Sequence, residues 1–480
     1  MIVKEDTMEK NMIREAMRTR LSGKRCAVLG YGVSNRPLCE MLRSLDAVVT
    51  VCDQKEREKI GGIDEAEAKG ITFVLGNEAL SILTVQNFDI VFRSPGFRPD
   101  LPEICEAVRR GAELSSEMEL FFEFSPATTI GITGSDGKTT TTTITALLLE
   151  EAGKRTGGRV FLGGNIGTPL LPHVLEMTEK DFAVVELSSF QLMTMKRSPH
   201  RAVITNLSPN HLNWHTDMDE YVDAKCNIFR GEGNELLVLN RENEASWALL
   251  DTIDEGKTVY AFSSDETREI NVGVCLRHGV IGLPLGDDCL PLLRTNEIRI
   301  PGRHNVENFE AAIAVTLGLV TNVEDILAVA RRFTGVPHRL ELIREKDGVR
   351  FYNSSIDSSP SRTVAALSAL DCPPVVICGG RDKHVPFDDM ADALCEKAVG
   401  IVLTGEAAGQ IYEAILRSPH YLPETVPILH VENFDEAVQT AARMARSGEA
   451  VLLSPGCTSF DAFNNFEERG DRFRAVVNAL

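Results

Sequence analysis

Three groups of residues in this chain have types and spacings that could do chemistry. The first is GITGSDGKTTTTT, residues 131–143, in which glycines flank a lysine and five threonine hydroxyls follow. Ile130 and Ile132 ahead of it are strand-like, and Ile144, Leu147 and Leu148 behind it recur at helical spacing. A strand, a glycine-rich turn and a helix in that order form a phosphate loop. Amides of Gly134, Ser135, Asp136, Gly137 and Lys138 would point at a β-phosphate, and the helix dipole would favour its charge. Thr139 or Thr140 can offer a hydroxyl to Mg²⁺, while Thr141 to Thr143 continue as helix. The strict GxxxxGK[ST] spacing is missed, because Ile132 stands at the first glycine position and Gly131 comes one residue early.

The second group is an acid, two histidines, a lysine and two asparagines. Glu186 closes the apolar run DFAVVE, where a carboxylate suits Mg²⁺ between phosphates or else caps the next helix. NHLNWH carries His211 and His215, and the sequence has no geometry to choose between them. Lys225, in the helical stretch MDEYVDAKCNIFRG, reads most simply as a solvated or ion-paired lysine. Asn305 and Asn308 lie one helical turn apart and can reach an adenine edge or a ribose, with capping an equal alternative for Asn305.

The third group sits near the start. Residues 25–53 read as a strand, a turn at Gly30-Tyr31-Gly32, a helix and a second strand ending in Asp53, which could accept ribose hydroxyls. Asn35 occupies the third glycine position of GxGxxG, which weakens a dinucleotide-binding dehydrogenase reading but leaves room for a nucleotide. A further strand runs into Ser94-Pro95-Gly96.

These groups need elements to hold them. At 480 residues, with 43% apolar and 25% charged, the chain is globular and long enough for about three domains. Gly335 and Pro337 break the chain, and after them PPVVICGGRDK, AVGIVLTGEAAGQIYEAIL and EAVLLSPGCTSFDAF repeat strand, turn, helix. The expected fold is α/β in three domains: 1–125 Rossmann-like, 126–334 like a P-loop ATPase, and 335–480 a second doubly wound Rossmann-like sheet. A formal charge of −20 argues against a nucleic-acid or anionic-membrane surface. No apolar run reaches the ~18 residues of a membrane span. The first twenty residues lack an apolar signal core, so a cytoplasmic setting is expected. The eleven cysteines lack any CxxC pair and read as buried thiols.

Together the motifs SPG, GITGSDGKTT, GGNIG, ELSSFQL, NHLNWH, DAKCNIF, GRHNVEN, FTGVPHR, GGRDK and SPGCTSFDAFNNFEERGDRF resemble the Mur ligase family over almost the whole chain. The last motif is similar to that of the family's D-glutamate-adding branch. The resemblance implies a UDP-substrate domain, an ATP and Mg²⁺ domain and an amino-acid domain in a monomer whose partners are small molecules, with no nucleic acid and no membrane insertion. ATP would convert the substrate carboxylate into an acyl phosphate, which the amino acid's amine then attacks.

By that resemblance Gly134, Ser135, Asp136, Gly137, Lys138, Thr139, Thr140, Thr141, Asn305, Asn308 and Arg339 would surround ATP. Thr139, Glu186 and His211 would ligate Mg²⁺, and Lys225 would do so as a carbamate. Gly32, Val33, Ser34, Asp53, Ser94, Pro95, Gly96 and Asn165 would hold the UDP-substrate. Ser358, Arg362, Lys383, Ser459 and Phe466 would hold the amino acid.

Two positions depart from the pattern. NSSIDSS, residues 353–359, has Ile356 where the family has a lysine and Ser358 where it has a threonine. An apolar side chain cannot pair with a carboxylate, so either Arg362 or Lys383 rebuilds the clamp or the amino acid differs. Asn210 stands where an acid commonly precedes the histidine. Rival readings are a ligase adding another amino acid, a folylpolyglutamate synthase, which would not need the first-domain turns, and a non-enzymatic nucleotide switch, for which NKxD is missing.

Overall fold

The computed structural model describes residues 2–212, 214–254, 256–300, 302–382, 385–422 and 424–480, the first eight of them through their backbone. Its contacts divide into two compact units, residues 1–295 with 306–329 and residues 296–305 with 330–480. Three sheets lie within these units, one in each of the three segments expected from sequence.

In the first unit, strands β1 (Arg25–Leu29), β2 (Val48–Asp53), β3 (Thr72–Leu75), β4 (Ile90–Arg93) and β5 (Glu113–Ser115) form a parallel sheet in the order β3-β2-β1-β4-β5. Both faces are apolar. Cys26, Val28, Val49, Val51, Ile90 and Phe92 enter one core cluster, while the intervening Ala27, Leu29, Cys52 and Val91 enter another. Burial on both faces is what makes these strands read as continuous apolar runs. The chain order reverses between β1 and β4, which puts the turns after these two strands on either side of a crevice.

The second sheet follows in the same unit: β6 (Thr128–Thr133), β7 (Val160–Gly164), β8 (Phe182–Glu186), β9 (Arg201–Ile204), β10 (Leu236–Asn240), β11 (Thr258–Ser263), β12 (Gly273–Arg277), β13 (Val280–Leu285) and β14 (Asp288–Arg294). The order is β14-β13-β12-β11-β10-β9-β6-β8-β7, parallel except for the β12-β13-β14 meander. β6 lies between β8 and β9, so three adjacent carboxyl ends converge on whatever follows β6. One core cluster holds side chains of both sheets, from Val28 and Phe92 to Val185 and Ile204, with Met118, Leu120 and Phe121 of the connecting helix.

The second unit carries β15 (Glu341–Lys346), β16 (Val349–Asn353), β17 (Pro374–Gly379), β18 (Gly400–Thr404), β19 (Ile428–His430) and β20 (Ala450–Leu453), in the order β15-β16-β20-β17-β18-β19. Only β15 runs antiparallel to its neighbour. Val376, Cys378, Ile401 and Leu403 face one layer of helices, and Val375, Ile377, Val402 and Val451 face the other. The eleven cysteines are unbridged thiols, and burial pushes those of Cys26, Cys39 and Cys52 up to about 12.

Candidate active site

β6 delivers the phosphate loop. Gly131, inside the strand, leaves room for Pro199, whose Cγ would lie 2.5 Å from an added Cβ. Gly137 has φ +76° and a Cβ there would meet Asn308 Oδ1 at 2.4 Å, so glycine is required by backbone and by space. The helix Lys138–Thr156 starts at once, and its first-turn amides have no intrahelical acceptor, which suits them to an anion. The expectation that all amides from Gly134 onward face a phosphate needs correcting. Ser135 N donates to Asn206 O and Asp136 N to Asn206 Oδ1, so the turn after β9 braces the loop instead.

The threonine run divides by depth. Thr139, Thr141 and Thr142 are buried, Thr140 and Thr143 half-buried. Thr141 Oγ1 donates to Asn308 Oδ1 at 3.2 Å, which ties the helix Arg303–Thr316 to the loop. Asn308 thus holds the loop through its Oδ1. Asn305 lies on the same helix and its N–H donates to Gly302 O. Arg339 belongs to the second unit and is exposed there.

Lys138 and Lys225 meet at one atom. Lys138 Nζ donates to Gly134 O and Ser135 O, both at 2.9 Å, and Lys225 Nζ donates to Gly134 O at 2.8 Å and Thr133 Oγ1 at 3.1 Å. Lys225 is only 1% exposed, over the ring of Tyr221 and far from the solvated position its sequence context suggests. Burial, with Lys138 adding to it, pushes its ammonium well below the usual lysine range, which favours the neutral amine.

β8 ends in Glu186, 1% exposed. Asn165 Nδ2 donates to its Oε1 at 2.8 Å and Asn165 N to its backbone O. Its Oε2 is buried with no hydrogen-bond partner. An ionised oxygen in that state is costly unless a cation or donor completes it, so the position fits a divalent metal. Asn165, expected on the substrate, is thereby an orienting partner of Glu186.

The two histidines separate cleanly. His215 is buried, with Nδ1 on Glu220 Oε2 at 3.1 Å and Nε2 on Ser189 Oγ at 2.9 Å, so both ring nitrogens are engaged in holding the loop. His211 is exposed and sits at φ +55°, a strained backbone for a non-glycine that costs about 1 kcal/mol or more. Its imidazole makes no hydrogen bond among the described residues. Desolvation of its ring by the neighbouring loop, then the Lys138 ammonium, push it below the usual histidine range, which favours the neutral imidazole.

At the first sheet, Gly30 (φ +84°) and Tyr31 form the turn, and Asn35 replaces the third glycine for a visible reason. Its Nδ2 donates to Leu29 O at 3.1 Å and Gly30 O at 3.0 Å, so a side chain pins the turn that a glycine would have packed. Asp53 is buried and already accepts from Tyr31 N and Lys55 N, which makes it a brace for the turn rather than an open ribose acceptor. Gly32, Val33 and Ser34 line the exposed side of the turn. Ser94 Oγ would touch a Cβ at Gly30 at 3.1 Å, so Ser94-Pro95-Gly96 and the first turn face each other.

In the second unit the NSSIDSS segment is closely tied. Asn353 Nδ2 donates to Gly470 O, Ser355 Oγ to Phe466 O, and Ser454 Oγ to Asp357 Oδ2. Burial raises the Asp357 carboxyl to about 6. Arg362 is exposed and its Nη1 donates to Ile356 O at 3.0 Å, Ser358 and Phe466 are half-buried, and Ser459 is buried. Lys383 lies outside the described residues. Sequence reasoning missed Arg469, 3% exposed, whose guanidinium donates to Ser355 Oγ, Ser355 O and Cys457 O. It missed Tyr221 and Asn206 as well, because burial and cross-strand partners leave no local mark on the sequence.

The Mur ligase middle domain model matches residues 132–316, and the Mur ligase, glutamate ligase domain model matches residues 338–457. UDP-N-acetylmuramoylalanine–D-glutamate ligase of Ruminiclostridium cellulolyticum is 44% identical over 470 residues, 97% of this chain and 99% of that one. Its counterpart in Clostridium novyi is 45% identical over 463 residues, 96% and 98%. Among solved structures, UDP-N-acetylmuramate-alanine ligase of Thermotoga maritima (TM-score 0.53, 19% identity, 95% and 99% covered) shares the fold. UDP-N-acetylmuramoyl-L-alanyl-D-glutamate–2,6-diaminopimelate ligase (TM-score 0.55, 16% identity, 96% and 93% covered) shares it too. With likeness of that extent in sequence, and a phosphate loop, a buried acid and a buried amine converging at β6, β8 and the helix behind them, the chain belongs to the Mur ligase family.

Proposed function

We propose that the chain is an ATP-dependent ligase that joins D-glutamate to UDP-N-acetylmuramoyl-L-alanine in peptidoglycan precursor synthesis, releasing ADP and phosphate. The observation that carries the reading is the meeting of Lys138, Lys225 and Glu186 around the phosphate loop in a chain that matches D-glutamate ligases from end to end. The substrate's alanyl carboxylate attacks the γ-phosphorus of ATP and ADP leaves, giving an acyl phosphate. The amine of D-glutamate adds to that carbonyl and loses a proton, and the tetrahedral intermediate expels phosphate to leave the amide.

The residues divide this work. Lys138, at the first position of the helix after the loop, would turn to the transferring group and offset its charge. Thr139 and Glu186 would hold Mg²⁺, with Asn165 fixing the Glu186 carboxylate. A bound Mg²⁺ supplies positive charge where phosphate charge accumulates. Lys225, as a neutral amine, has the protonation state that addition of CO₂ requires, and its carbamate would offer oxygen to metal beside His211. The UDP end would sit between the Gly30–Ser34 and Ser94–Gly96 turns. Ser358, Arg362, Ser459 and Phe466 of the second unit would receive D-glutamate. Among the described residues no helix is long and apolar enough to cross a membrane.

The test is phosphate release with ATP, Mg²⁺, UDP-N-acetylmuramoyl-L-alanine and a panel of amino acids. Release is expected only with the nucleotide substrate and D-glutamate together. Turnover without either co-substrate would point to a nucleotide switch, and a response to a different amino acid alone would move the specificity while keeping the ligase.

A further inference from the structure

The segment RSPGFR, residues 93–98, holds two arginines that bracket the Ser94–Gly96 turn, and both reach out of their own sheet to segments that connect strands of the second. Arg93 ends β4 and is 2% exposed with no carboxylate against it. Its Nη1 donates to Phe97 O at 2.7 Å, and its Nη2 donates to Phe190 O at 2.7 Å and Thr194 Oγ1 at 3.2 Å. Burial pushes this guanidinium down to about 10. Arg98 donates to Trp214 O at 2.5 Å, pairs with Glu220 at 2.8 Å and with Asp100, and lies over the Trp214 ring at 5.1 Å.

Arg98 ends on the loop that carries His211, and Arg93 ends on the segment after β8, whose Phe190 packs against that loop. Phe190 stacks on His215 at 5.6 Å, meets His211 edge-on at 5.0 Å and lies tilted against Trp214 at 4.5 Å. Glu220, held by Arg98, also accepts from Thr216 N at 2.9 Å and engages His215 Nδ1. His211 itself is held through its backbone, a left-handed conformation whose carbonyl accepts from Trp214 N and His215 N, both at 3.0 Å, while its ring has one edge contact, to Phe190. An exposed ion pair contributes under ~1 kcal/mol, but a forked, half-buried guanidinium that also stacks on an indole fixes direction as well as distance.

We propose that Arg98, with Arg93 behind it, is a positioning residue that sets the His211 loop according to how the UDP end of the substrate sits against Ser94–Gly96. This rests on the assignment of that crevice to UDP. Closing the crevice on a diphosphate draws on Phe97 and Arg98, and through them on Trp214 and the His211 loop. Binding energy from the non-reacting end of the substrate is thereby used to orient a group at the reacting end.

Trp214 is a built-in reporter, since the chain has two tryptophans. In a Trp247→Phe background, UDP titrated into the full chain is expected to change Trp214 fluorescence. In Arg98→Met and Arg98→Lys that change disappears, while calorimetry finds UDP affinity within about threefold of the parent and kcat for ligation falls by about 10- to 100-fold at unchanged KM for ATP. Lysine fails because it cannot fork. If Arg98→Met does not fold, Arg98→Lys carries the same readouts. A fluorescence change that persists in the variants means the ligand reaches Trp214 without Arg98 and overturns the role. So does UDP binding in the parent that leaves Trp214 unchanged. No calorimetric binding of UDP to the parent removes the crevice assignment and, with it, the coupling.

Discussion

Lys225 Nζ has a hydroxyl, a carbonyl and an aromatic face around it and, among the described residues, no carboxylate in hydrogen-bond contact, a setting that disfavours an ammonium relative to an amine. The amine form has a lone pair, and CO₂ is the simplest electrophile that would convert it into an oxygen donor. Lys225→Ala is therefore expected to lose ligation by about 10²-fold or more, with partial recovery in added acetate, a carboxylate small enough for the vacated space. Failure of acetate and bicarbonate alike to restore any rate removes the carbamate role. The pH sign follows from the amine: acid protonates it and competes with CO₂, so in bicarbonate-depleted buffer activity should fall as pH is lowered, and added bicarbonate should lessen the fall. Nothing in DAKCNIF announces this, because depth is set by β6 and Tyr221 and not by the residues beside Lys225. The same holds for the histidine pair. NHLNWH leaves His211 and His215 equivalent, and only the partners Glu220 and Ser189 show that the second is a fastening of the loop.

The phosphate loop is the element whose form was most legible: a strand, two glycines with positive φ and a helix lie where the apolar spacing puts them. Its support was not legible. Asn308, 167 residues from Thr141, fills the space over Gly137. That contact makes a separable prediction. Gly137→Ala meets two penalties, the left-handed backbone of about 1–2 kcal/mol and the 2.4 Å approach to Asn308 Oδ1. The single variant should raise KM for ATP by about tenfold or more, and in Gly137→Ala with Asn308→Ala the rise should be smaller than the two single effects combined, because the clash is relieved. Strict additivity of the two substitutions would mean that a methyl at Gly137 does not meet Asn308. At the first sheet the same logic explains why the glycine fingerprint is incomplete. Asn35 pins the turn with hydrogen bonds to Leu29 and Gly30, a solution that a glycine count cannot detect.

For the whole molecule, three sheets were readable from three runs of strand, turn and helix, but the number of cooperative bodies was not. Val28, Phe92, Phe121, Val185 and Ile204 share one core, so the first two sheets form a single unit, while the third keeps separate cores on its two faces. Sequence periodicity reports which face of an element is apolar and is silent on which other element covers it. Two units with separate cores should melt separately, and scanning calorimetry is expected to resolve two transitions. The phosphate loop, Glu186 and Lys225 all lie in residues 1–329, so a non-hydrolysable ATP analogue with Mg²⁺ should act on that unit's transition. At about 100 times its Kd the ligand adds ~2.7 kcal/mol, or an upward shift of about 5 °C for a body of this size. The transition of residues 330–480 should stay in place. A single transition that moves as one, or equal shifts in two, would show that the third sheet is thermodynamically joined to the nucleotide site and that the division seen in the contacts is not a division in stability.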